Sequence, residues 1–158
     1  MPRAGRIKKR NLEPDPIYKN RLVTRFINRI MKNGKKTVAQ NVVYKTLDII
    51  KEKGADPVLI LESAVKNVGP RMEVRPRRVG GASYQVPVEV RGDRREALAI
   101  RWMLKAASSR SSKEYHTFSA KLAVELTEAN QGIGLAIKKR DETHKMAEAN
   151  KAFAHFRW

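Results

Sequence analysis

Apolar positions recur along most of this chain at the three- and four-residue spacing of helices with one buried face. From Asn20 to Met31 they are Leu22, Val23, Phe26, Ile27, Ile30 and Met31, with Arg21, Arg25 and Arg29 on the other side. Asn33-Gly34 ends that helix. A second is predicted from about Lys36 to Lys53, with Val38, Ala39, Val42, Val43, Leu47 and Ile50 inward and Gly54 as its stop. Asp56-Pro57 starts a third, a cap followed by proline at the first helical position. It carries Leu61, Ala64, Val65 and Val68 until Gly69-Pro70 breaks it. Asp93 to Glu96 reads as a capping box for a fourth. That helix turns Leu98, Ile100, Trp102, Met103 and Leu104 inward and Arg94, Arg95 and Arg101 outward. Ser108 to Lys113 is a polar linker. Tyr115, Phe118, Leu122 and Leu126 mark a fifth helix, and a last one runs from about Leu135 to Phe153.

The period changes between Arg71 and Arg91. There Met72, Val74 and Pro76 alternate with charged residues, and after Gly80-Gly81 so do Tyr84, Val86, Val88 and Val90 with Ser83, Gln85, Pro87 and Glu89. Alternation with period two predicts strands with one apolar face, and paired glycines supply the positive φ of a tight turn. Pro76 and Pro87 each lack a ladder donor, which suits edge strands that nothing pairs against. A lone hairpin is marginal in water and must pack on something else. Nine residues of strand, Arg71 to Val79, reach roughly 30 Å. With Arg75, Arg77 and Arg78 near its turn, it reads as a basic arm rooted on a helical body. The fold class is therefore mainly α: a bundle of about six helices with one protruding β-hairpin arm at 71–91. The domain expected is 19–158, preceded by a flexible basic tail at 1–18 in which Arg3, Arg6, Lys8, Lys9 and Arg10 have no acidic neighbour and Pro14 and Pro16 block a helix.

Charge sharpens the picture. Of the 158 residues 34 are Lys or Arg against 16 acidic, a net charge of +18. Such an imbalance costs stability through self-repulsion, and nucleic acid is its commonest reason. No apolar run reaches membrane-spanning length, and no signal-peptide core or lipidation signal stands out. The absence of cysteine excludes disulfides and thiolate metal sites and fits a cytoplasmic protein. His116, His144 and His155 have no metal-ligand spacing and read as surface histidines. No catalytic constellation, metal site or cofactor motif emerges, so a binding protein rather than an enzyme is expected. Trp102 and Phe118 fall at inward positions and are assigned to the core rather than to base stacking.

Four blocks of this sequence resemble the bacterial type of ribosomal protein seven of the small subunit. They are FINRIMKNGKKTVAQNVVYKT (Phe26 to Thr46), EVRPRRVGGASYQVPVEVR (Glu73 to Arg91), LAIRWM (Leu98 to Met103) and KKRDETHKMAEANKAFAHFRW (Lys138 to Trp158). The resemblance implies a helical fold with a protruding hairpin and a role as primary binder of the 3′ major domain of small-subunit ribosomal RNA. It also implies nucleation of head assembly, a position near exit-site tRNA and mRNA beside head and platform proteins, and a ribosome-bound, cytoplasmic location with no membrane. Carried onto this chain, RNA contacts fall on Arg3, Arg6, Lys8, Lys9 and Arg10, on Lys35 and Lys36, and on Arg75, Arg77 and Arg78. Arg94, Arg95, Arg101, Lys113, Lys138, Lys139 and Arg140 complete the set. The competing class is an architectural DNA-binding protein with basic β-arms, which accounts for the charge and the hairpin but not for the four blocks.

Overall fold

A computed structural model describes residues 11–156. The element order is α1 (Arg21–Ile30), α2 (Lys36–Glu52), α3 (Pro57–Val68), β1 (Met72–Val79), β2 (Ala82–Glu89), α4 (Gly92–Ser109), α5 (Phe118–Asn130) and α6 (Leu135–Ala149), followed by a 3₁₀ helix, Lys151–Phe156. Helices α2, α3 and α4 pack around α5. Their apolar faces, with that of α1, form one core in which Phe26, Ile27, Leu47, Ile50, Leu61, Met103, Leu122 and Leu126 are fully buried. Local chemistry sets the boundaries. Asn20 Oδ1 accepts from Leu22 N to start α1, Asp56 Oδ1 from Val58 N to start α3, and Thr117 Oγ1 from Ala120 N to start α5.

Several expectations change. Helix α5 begins at Phe118, so Tyr115 lies in the preceding loop. Val38 is exposed, because α2 turns Ala39, Val43, Leu47 and Ile50 to the core. The expected capping box of α4 does not form. The cap is Arg91, without a side-chain bond, and Asp93 and Glu96 instead both pair with Arg25 of α1. Helix α6 stops at Ala149, and the tighter 3₁₀ turn takes over. In that geometry residues three apart eclipse, so Phe153 and Phe156 point the same way. The chain that leads into α1 is fastened too. Asp15, only 3% exposed, accepts from Ile17 N, Tyr18 N and the Tyr44 hydroxyl of α2. Burial, ahead of the bond to Asp15, pushes the Tyr44 phenol up to about 12.

The hairpin pairs in unbroken register from Met72↔Glu89 to Val79↔Ala82 around a two-residue turn in which Gly80 and Gly81 both have positive φ. Pro76 does not disturb it, and the register explains why. Val90 N donates to Arg71 O, and antiparallel pairs alternate between bonded and non-bonded. Pro76↔Gln85 and Val74↔Pro87 therefore fall on non-bonded pairs, where the missing N–H would have pointed outward. The same register corrects the single apolar face. Residues directly opposite share a face, so Met72, Val74 and Pro76 stand with Glu89, Pro87 and Gln85. Tyr84, Val86, Val88 and Val90 stand on the other side with Arg77, Arg75, Glu73 and Arg71. Each face is half apolar, and burial is confined to the root half, at Glu73, Val86, Pro87 and Val90.

Candidate nucleic-acid interface

The arm is attached through charge as well as apolar burial. Glu73 is 7% exposed and accepts from Arg94 Nε at 2.8 Å, Arg94 Nη2 at 2.7 Å and Arg75 Nε at 2.5 Å. Burial pushes the Glu73 carboxyl up, but the bonds from Arg94 and then Arg75 outweigh it and hold the group below the usual carboxylate range. Two of the expected RNA contacts thus hold Glu73, Arg75 from within β1 and Arg94 across the joint between β1 and α4. Arg95 is also held from within: its Nε donates to Gly69 O at 3.1 Å. A Cβ at Gly69 would lie 2.9 Å from that arginine's Cγ and Nε, so a larger residue there would displace the side chain. His144 of α6 is not a free surface histidine, because its Nε2 accepts from Arg71 N at 2.9 Å where β1 begins. Burial pushes its pKa down, and the positive charge of Arg140 adds to the effect.

Beyond the root the arm leans on the C-terminal 3₁₀ helix. The Tyr84 ring lies 5.3 Å from that of Phe153 and 5.1 Å from that of Phe156, both tilted, within the range of favourable aromatic pairs. The free reach is therefore shorter than the strand length suggests. Toward the turn Arg75, Pro76, Arg77, Arg78, Gly80, Gly81, Ala82, Ser83 and Gln85 are exposed.

A second basic surface lies where α1 passes into α2. Lys35 and Lys36 are exposed there. Lys35 shares with Arg29 and Lys32 the rim of a 380 Å³ groove floored by Ile30, Met31, Val38, Leu104 and Phe118. Arg29 and Lys32 are exposed as well, on either side of the end of α1, and add two cations to those expected from the sequence. Arg101 and Lys113 are exposed on α4 and on the loop after it, and Lys138 on α6. Lys139 pairs with Glu142 at 2.9 Å. Arg140 donates to Asn67 O at 2.8 Å and pairs with Asp141 at 2.6 Å. Arg3, Arg6, Lys8, Lys9 and Arg10 lie outside the described residues.

The supposed polar linker hides a structural residue. Arg110 Nε donates to Glu125 Oε2 at 2.8 Å, its Nη2 pairs with Glu128, and Glu125 is completely buried. The other oxygen, Glu125 Oε1, accepts from Ala136 N at 2.9 Å and so supplies an N-terminal partner that Gly134 cannot give α6. One carboxylate ties α4, α5 and α6 together. An arginine in a run of serines and a glutamate at an a-type helical position were the only signals, and neither reveals its partner. Among the described residues no group of three or more His, Cys, Asp or Glu could hold a metal ion, and no helix is long and apolar enough to cross a membrane. Trp102 and Phe118 are half-buried against the core.

Comparison with known proteins covers nearly the whole chain. The sequence model of the family described as Ribosomal protein S7p/S5e matches residues 2–151. The small ribosomal subunit protein uS7 of Carboxydothermus hydrogenoformans is 55% identical over 159 residues, with all of both chains covered. Those of Desulfitobacterium hafniense and Caldicellulosiruptor saccharolyticus are 55% and 52% identical, again over the full length of each.

Proposed function

The chain belongs to the ribosomal protein S7p/S5e family, and from that premise we propose that it is a primary binder of small-subunit ribosomal RNA that nucleates assembly of the subunit's head. As a family member it is a structural component of the small ribosomal subunit rather than an enzyme. The finer assignment covers the 3′ major domain of the RNA, a position near exit-site tRNA and mRNA, and head and platform proteins as neighbours. It rests on the sequence blocks together with the distribution of exposed cations.

The observation that carries it is the separation of two kinds of basic residue. Arg75, Arg94, Arg95 and Arg140 hold partners within the protein, although Arg75 and Arg94 stay about half exposed. Lys35, Lys36, Arg78, Arg101, Lys113 and Lys138 are exposed, and we assign the phosphate contacts to them, to Arg77 and Lys139, and to the basic residues between Arg3 and Arg10. Recognition of this kind reads RNA shape and backbone. With about six of these residues on phosphate at once, log affinity falls against log salt with a slope near −4, at about 0.7 per contact on single strands. The test is a salt titration of the full chain on a small-subunit ribosomal RNA transcript, with co-sedimentation on sucrose gradients. A titration that is nearly flat, or a protein that stays out of the small-subunit peak, overturns the reading.

A further inference from the structure

A cleft of 400 Å³ opens between α3, the start of β1, α4 and α6, lined by Lys66, Arg71, Arg95, Arg140 and His144, with Asn67 and Gly69 at its base and no carboxylate in its lining. We propose that this cleft is a phosphate-binding site for the RNA backbone, with Lys66 and Arg71 as its ligands and Arg95 as a fixed positive wall. The proposal rests on the reading of the chain as an RNA binder and adds a site at the arm's root, away from the tip.

Three observations carry it. First, the charge is uncompensated. Arg95 is held by the carbonyls of Gly69 and Lys66, which fix the guanidinium without neutralising it. Of the cations in the lining only Arg140 has a carboxylate partner, Asp141. Second, the site is preorganised. Gly69 leaves room for Arg95, which a Cβ there would force to shift. Arg140 is tied to Asn67 O, and the Arg71 backbone is tied to His144, so with Arg95 on Gly69 O all four chain segments around the cleft are pinned to one another. Third, the two residues that complete it, Lys66 and Arg71, are exposed and their side chains have no partner, so they can close on an anion without breaking an internal bond. Burial first, and then the charge of Arg140, push the His144 pKa down; Asp141 opposes them, and Arg71 and Arg95 add to the lowering. A phosphodiester fits a site of spaced guanidinium and ammonium donors.

The test compares wild type with Lys66→Gln/Arg71→Gln and with Lys51→Gln, an exposed lysine outside the cleft. The full chain binds a small-subunit ribosomal RNA transcript, and separately poly-glutamate, over a range of salt. At about 0.1 M salt each lost phosphate contact weakens binding about five- to eightfold, so the double variant is expected to lose about 25- to 60-fold and its slope to flatten by about 1.4–1.8. Its melting temperature is expected to stay at the wild-type value, because neither side chain packs. A steep wild-type titration with an unchanged double variant overturns the cleft while the RNA-binding function stands; a flat wild-type titration overturns both. Equal losses in Lys51→Gln, or loss of poly-glutamate binding with RNA affinity intact, also overturn it.

Discussion

Changing Glu73→Gln separates the arm's attachment from its function. The substitution keeps the size of the side chain and removes the charge that Arg94 and Arg75 share. Exposed ion pairs contribute about 0–1 kcal/mol, whereas breaking a buried one costs about 3–5 kcal/mol. Glu73 itself is buried, but the side chains of Arg75 and Arg94 remain 48% and 52% exposed, so solvent screens much of the interaction. A loss of about 1.5 kcal/mol follows, equivalent to a fall of roughly 3–6 °C in melting temperature for a chain of this size. The pH dependence fixes the mechanism. The folded pKa of Glu73 lies below its ordinary value, so its contribution is present above the unfolded pKa, about 4.3, and disappears as pH falls through the lower folded value. The gap between wild type and variant, followed by circular dichroism melts, is therefore full at pH 7 and closes below about pH 4. RNA affinity at 25 °C is expected to hold or rise, since two guanidiniums are released from an internal partner. Equal melting at pH 7, or a gap that persists undiminished in acid, refutes the argument.

Phe153→Ala/Phe156→Ala removes the rings that brace Tyr84; trypsin cleavage at Arg77 and Arg78 should accelerate while the helical circular dichroism signal stays. Arg77→Ala/Arg78→Ala touches exposed positions and should shift stability by no more than about 0.5 kcal/mol, yet reduce retention of exit-site tRNA in assembled particles; a large drop in melting temperature would make the hairpin end part of the core. Glu125→Gln keeps an acceptor for Ala136 N but takes the charge from Arg110, which retains Glu128. Urea unfolding should show a loss of about 3 kcal/mol, at the lower end for a broken buried pair because one partner remains.

Helix positions and the hairpin were legible because both follow from local rules: apolar period, caps and paired glycines. Even Pro76 and Pro87 follow such a rule once the register is known, although parity of pairing cannot be counted until the turn length is fixed. What stayed hidden depends on partners distant in sequence. Asp93 and Glu96 have the spacing of a capping box, but Arg25 lies 68 and 71 residues away in sequence and binds both. His144 reads as a surface histidine until the backbone entering β1 donates to its ring. The 3₁₀ finish of the chain was masked by helix-compatible alanines, and the cost of leaving α-geometry is offset by the contact of two phenylalanines with Tyr84.

The candidate site shows the same division, and arginine and lysine fall on different sides of it. Among the described ion pairs the cation is Arg25, Arg75, Arg91, Arg94, Arg110 or Arg140 in all but one case. The exception, Lys139 with Glu142, is an exposed pair three residues apart on one helix. A planar guanidinium with several donors can bond a carboxylate and a carbonyl at once and is less strongly hydrated than an ammonium, so it tolerates half-buried joints between elements. Lysine, a strongly hydrated point charge on a flexible stem, stays mostly at the surface, where it raises the potential without fixing geometry; the buried Lys121, which donates to Arg110 O and Ser112 Oγ, is the exception. Counting basic residues in a run therefore overstates the arginines available to RNA and understates the lysines, including Lys32 and Lys66, that stand alone in sequence. In this chain the arginine pairs set where the arm, α4 and α6 sit relative to one another. That frame decides which remaining cations converge on a phosphate.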